Sequence, residues 1–138
     1  MVMKKVVSAG VLLVFTLSVF FSCTGPPKPI PEEEAVMDAL KKVQQGADAS
    51  VSYQEFDRLI AAANQEIDKL KGVEKKSDCF FNAVNKCIQS YEISKKAWKL
   101  RDDATDEKRR IDLDTTLSFS MGFASVSLAK AAECFKKK

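Results

Sequence analysis

Four cysteines and no histidine define the chemistry open to this chain of 138 residues. Without histidine, the Ser-His-Asp and Cys-His nucleophile systems, His-ligated metal sites and c-type haem attachment are all excluded. The five glycines form no Gly-rich loop, and no GKS or GKT string is present, so there is no phosphate cradle. Paired carboxylates occur at Asp102/Asp103, Asp106/Glu107 and Asp112/Asp114, but inside the most charged stretch of the sequence. Such a solvated setting does little to shift a carboxyl group toward acid–base work. The cysteines therefore carry whatever covalent chemistry the chain has. No metal site and no cofactor are expected, because Cys79, Cys87 and Cys134 contain no closely spaced pair to seed one.

Cys23 is set apart by what precedes it. Lys4 and Lys5 give a positive start, and Val6 to Phe21 is an uncharged apolar run (VVSAGVLLVFTLSVFF) followed by the small Ser22. That is the layout of an export signal over residues 1–22. The small residue directly before Cys23 resembles the lipobox of bacterial lipoproteins, in which the chain is cut before a cysteine that carries diacylglycerol. Phe20 and Phe21 depart from the family, which usually has Leu, Val or Ala and then a small residue there. The resemblance covers about the first 23 residues and implies a membrane anchor at Cys23. Thr24 stands where enteric bacteria place an Asp to retain a lipoprotein at the inner membrane, so the likeness favours the periplasmic face of the outer membrane. Residues 23–31 then form a tether. Four prolines fall within positions 26–31, favouring an extended, polyproline-like spacer.

The formal charge of +3 arises from 22 basic and 19 acidic residues. Losing Lys4 and Lys5 with the signal leaves 20 against 19, a nearly neutral body that gives no reason to expect nucleic acid as a partner.

Residues 32–138 read as one all-α domain, a small bundle of three long helices plus one short N-terminal helix. Glu32, Glu33 and Glu34 suit a helix start, and Val36, Leu40 and Val43 keep helical spacing up to Gly46. Ser52 and Glu55 have the S-x-x-E spacing of a capping box. From there Tyr53, Phe56, Ile60, Ala63, Ile67 and Leu70 step by three and four toward Gly72, which suits a helix stop. A third helix is expected over about 77–103, with Phe80, Val84, Cys87, Tyr91 and Trp98 on one stripe. Thr105 or Asp106 would cap the fourth.

Thr115 to Ala129 has no charge and supports two patterns. Leu117, Phe119, Met121 and Phe123 alternate with small or polar residues as in a strand, whereas Leu113, Leu117, Ala124, Leu128, Ala131 and Phe135 keep one helical face. A lone strand could not satisfy its backbone, so a long helix is expected, apolar on more than one side and packed in the middle of the bundle. Its small residues Ser118, Ser120, Gly122, Ala124 and Ser125 would admit close neighbours. The helix hairpins also resemble, loosely, tetratricopeptide-type pairs, although that repeat's Trp-Leu-Gly-Tyr pattern is absent.

An exported chain meets an oxidising compartment, where cysteines pair. Cys79 and Cys87 would lie about 12 Å apart along one helix, too far for a disulfide, which needs Cα atoms within roughly 7 Å. A chain reversal near residues 104–106 places position i of the third helix beside about 210 minus i of the fourth. Cys134 then falls nearest Cys79, predicting that bridge, with Cys87 left as a buried core thiol.

These readings point to a lipid-anchored cell-envelope protein that is not an enzyme and acts as an interaction or scaffold module for another envelope protein. Tyr53, Tyr91 and Trp98 are the candidate partner surface, since such side chains supply large contact area. Two alternatives share the same residues. The terminal Lys136-Lys137-Lys138 resembles the lysine end by which Braun-type lipoproteins join peptidoglycan, implying a structural tether. Phe80, Phe81, Phe119 and Phe123 could instead line a site for a hydrophobic ligand.

Overall fold

A computed structural model describes residues 28–137 of the chain. The expected signal segment, Cys23 and the first residues of the tether lie outside these, as does Lys138. The described residues form four helices, α1 (Pro31–Asp48), α2 (Tyr53–Lys71), α3 (Asp78–Asp102) and α4 (Glu107–Lys136), with no strand among them.

The helix starts follow local chemistry. Pro31 occupies the first turn of α1, where its missing N–H costs nothing, and Glu32–Glu34 lie at the positive end of the helix dipole. Ser52, Ser77 and Asp106 cap α2, α3 and α4, their side-chain oxygens accepting from the backbone N–H of Glu55, Phe80 and Arg109. The capping box at Ser52 is only half formed, because the Glu55 carboxylate engages Arg58.

Of the two expected glycine stops, Gly72 stands where α2 ends, whereas Gly46 does not end α1. Gly46 lies within α1, which continues to Asp48 and is, at 18 residues, the shortest of the four. A Cβ at Gly46 would stand 2.6 Å from Leu59 Cδ1, so glycine serves the close approach of α2 there. The helix is ended by Ser50 in the left-handed region (φ 53°). Ser50 and Val51 donate to the Ala47 and Gly46 carbonyls, a Schellman arrangement built without glycine. Gly72 follows α2 in a right-handed conformation (φ −77°) and provides no left-handed cap.

Helices alternate in direction. Cys79 faces Cys134, Cys87 faces Ala124 and Ser94 faces Ser120, so α3 and α4 form an antiparallel hairpin reversed at residues 103–106. The core is made by Val36, Leu40 and Val43 of α1, Phe56, Ile60, Ala63, Ile67 and Leu70 of α2, and Phe80, Val84, Cys87 and Tyr91 of α3. Helix α4 contributes a narrower stripe, Ala124, Leu128, Ala131 and Cys134. It packs extensively on α3 and lightly on α1, and has no contact with α2.

That arrangement corrects the expected central position of α4, which is a peripheral helix. With α3 and α1 on one side, its core stripe is covered. Phe119, Phe123 and Val126, roughly a quarter of a turn or more away, project outward with 67%, 65% and 69% of their surface exposed. The alternating pattern of 117–123 is thus an α-helix with two unlike faces.

Glu33 ties the start of α1 to the start of α3. Its carboxylate is fully buried and accepts from the Ser77 backbone N–H at 2.7 Å and from the Ile30 N–H at 3.4 Å. One side chain therefore satisfies donors at two helix N-termini, both of which favour negative charge.

Candidate functional site

The α3–α4 seam holds the three described cysteines. Cys79 and Cys134 form a disulfide with a Cα–Cα separation of 5.7 Å, joining the first turn of α3 to the last turn of α4. One covalent link thus sits at the end of the hairpin opposite its turn. Two helical turns further along α3, Cys87 is free and fully buried, its thiol donating to the Ala124 carbonyl at 3.4 Å. Burial pushes the Cys87 pKa up to about 12. At neutral pH it is a thiol, inert as a nucleophile. Beyond it Ser94 and Ser120, both buried, share a 2.6 Å hydrogen bond.

The aromatic candidates for a partner surface are drawn into the α2–α3 contact. Tyr91 is 1% exposed and meets Phe56 edge-on at 6.0 Å between ring centroids. Trp98 and Tyr53 are half-buried, the indole packing against Phe56 at 5.6 Å and against Tyr53 at 6.1 Å. Tyr91 offers a partner nothing. Tyr53 and Trp98 pack on one another, and Trp98 packs also on Phe56. Spacing alone could not separate these uses, since core and interface aromatics recur at the same helical periods.

The four phenylalanines proposed to share a ligand site are also divided. Phe80 is in the core against Phe135 at 5.7 Å, and Phe81 is half-buried under the Lys76 ammonium at 5.3 Å. Phe119 and Phe123 lie on the outer side of α4. Phe119 and Phe123 share shallow ground there with Ser118, Gly122 and Val126, and neither Phe80 nor Phe81 lies on it.

That outer side is the second apolar face of this helix, expected to be buried and found exposed. At 3.6 residues per turn, Thr115, Ser118, Phe119, Gly122, Phe123, Val126 and Ala129 fall on the half of α4 turned away from α3 and α1, and every one is exposed. Ser118 and Gly122 leave shallow ground between the larger side chains, and a Cβ at Gly122 would meet nothing within 4 Å. Ile93 of α3 lies beside Phe119 and Phe123 and extends the patch across the hairpin, with half of its own surface exposed. The signal was present as the 15-residue uncharged run, longer than one buried stripe requires.

Charged residues bound this face. Lys108 and Asp112 lie before it on α4, Lys130 and Glu133 after it, all exposed, with Lys130 bridging Glu133 at 3.0 Å. Arg101 bridges Asp114 at 3.1 Å near the hairpin turn, and the carboxylate pairs noted in the sequence lie on this solvated end. Among the described residues no group of three or more Cys, Asp or Glu is placed to hold a metal ion. No described helix is long and apolar enough to cross a membrane.

No known protein family, no curated protein and no solved structure matches this chain.

Proposed function

We propose that this chain is a lipid-anchored module of the bacterial cell envelope that works by protein–protein contact. Export and lipidation at Cys23 rest on the sequence of residues 4–23, with the Pro-rich tether as spacer. A Cys79–Cys134 disulfide suits an oxidising compartment. The body is a bundle of three longer helices and a shorter first one.

The observation that carries the interaction reading is the outer face of α4. Phe119, Phe123 and Val126 are each about two-thirds exposed on a helix that is bare of charge for 15 residues. Contiguous apolar surface of this kind marks contact sites on folded proteins, whereas isolated apolar residues do not.

Intact mass of the full chain from the membrane fraction tests the anchor. The expected species starts at Cys23, carries acyl chains and gains two daltons on reduction. The Cys23→Ala variant should lose the acyl mass and, with the cut before Cys23 lost as well, retain its N-terminal segment. A chain starting at Met1, or one cut elsewhere without lipid, would overturn the anchored reading.

A further inference from the structure

We infer that the outer face of α4 is the seat of a second copy of this chain, with the two α4 helices antiparallel across a two-fold axis beside Gly122. This inference rests on reading that face as an interaction surface, and names its occupant.

The charge order along the helix carries the argument. From its N-terminus the outward side presents Lys108, Asp112, the uncharged run 115–129, Lys130 and Glu133. A two-fold axis level with position 121, next to Gly122, brings position i of one copy beside about 242 minus i of the other, as an isologous interface requires. Lys108 then meets Glu133 of the second copy, and Asp112 meets its Lys130. Each pair occurs twice, and all four are attractive. A parallel pair would set Asp112 on Asp112 and Lys130 on Lys130, which is repulsive. The sequence of signs is self-complementary in one orientation only.

Shape follows the same symmetry. Phe119 of one copy comes beside Phe123 of the other, within range for aromatic packing. The exposed Ser118 and Gly122 provide the hollows that such rings need. Phe119, Phe123, Val126 and Ile93 are 67%, 65%, 69% and 50% exposed. At about 200 Å² for a whole aromatic side chain, the two rings alone present roughly 260 Å² per copy. With Val126, Ile93 and the small residues between them, the pair would bury about 1,000 Å² in total, the lower bound for a specific interface. A reversible dimer is the expected strength. With both chains anchored through Cys23, the tethers leave opposite ends of the pair. Both reach one membrane when the helices lie along its surface.

The test is photo-crosslinking in cells expressing the full chain, with benzoylphenylalanine in place of Phe123. The side chain is exposed, so the substitution leaves the core intact. The expected product has twice the mass of the chain, with the crosslink mapping to the segment around Phe119 of the second copy. Asp112→Lys alone and Lys130→Asp alone should each lower its yield several-fold, and the double variant should restore it. A crosslink to a different protein, or failure of the double variant to rescue, would overturn the self-association while leaving the α4 face a contact surface. Absence of any protein adduct would overturn both readings.

Discussion

The Ser94 and Ser120 hydroxyls lie 2.6 Å apart in the buried seam between α3 and α4, and each also lies within reach of a carbonyl on its own helix. Two hydroxyls carry two protons, so one donates across the seam and the other to its own backbone. Neither is left orphaned when its partner is removed. Ser94→Ala or Ser120→Ala should each cost about 1 kcal/mol, and the double variant should cost less than the sum because the shared bond is lost only once. Urea unfolding of the four species gives the coupling directly.

Glu33 presents a sharper case. Its loss strips acceptors from the Ser77 and Ile30 N–H groups together. Glu33→Ala should destabilise by about 2 kcal/mol, with Glu33→Gln losing less because one oxygen remains to accept. Equal losses in the two variants would mean that the carboxylate charge, and not its acceptor geometry, is what matters.

The disulfide closes a loop between residues 55 positions apart. In the chain-entropy account this stabilises the fold by about 4 kcal/mol. Paired Cys79→Ser and Cys134→Ser substitution should lower the urea midpoint accordingly and leave the helical circular-dichroism signal unchanged in the absence of denaturant.

Cys87 predicts an alkaline weakness. Unfolded, its thiol ionises near ~8.5; folded, burial holds the pKa up at about 12. Its contribution is therefore fully present below the unfolded value. It is lost as pH rises toward the folded value, at about 1.4 kcal/mol per pH unit, because unfolding then releases a proton. Tyr91 is shifted in the same direction by burial, then by the neighbouring Cys87 and Asp48 charges, and adds to the loss at higher pH. Urea midpoints at pH 8, 9 and 10 should fall for the native sequence and fall less for Cys87→Ala. A thiol reagent at pH 8 should label Cys87 only as the protein unfolds.

Ser50 holds a left-handed conformation that costs an L-residue about 1 kcal/mol or more. Ser50→Gly should raise stability by roughly 0.5–1 kcal/mol, since the Schellman bonds at this corner come from the backbone. A loss of stability would show that the serine side chain contributes more to the corner than its backbone strain subtracts.

The stripe from Phe56 to Leu70 was readable in the sequence because its apolar residues keep strict three-and-four spacing between charged neighbours. The Cys79–Cys134 pairing was readable for a different reason. Once the α3–α4 turn is located, antiparallel helices fix the register along their whole length. That the outer face of α4 lies uncovered was not readable, because periodicity shows that two faces are apolar and says nothing about how many neighbours are available to cover them. The roles of Gly46 and Ser50 were hidden too. A glycine that admits Leu59 and a glycine that ends a helix look alike in sequence, and serine carries no mark of a left-handed backbone.

The disulfide also divides the molecule unequally. Helices α3 and α4 are joined at one end by residues 103–106 and at the other by sulfur, forming a covalent ring. Helices α1 and α2 remain outside it, held by packing, by side-chain contacts such as Glu33 to Ser77 and Gln44 to Ser125, and by the single connection at residues 72–77. Opening of the α1–α2 hairpin as a unit breaks no covalent bond, and its amides should exchange with solvent ahead of those facing the seam. A protease nick at 103–106 would leave the two ring helices attached to each other until reductant is added. A nick at 72–77 would leave the first hairpin held by noncovalent contacts alone.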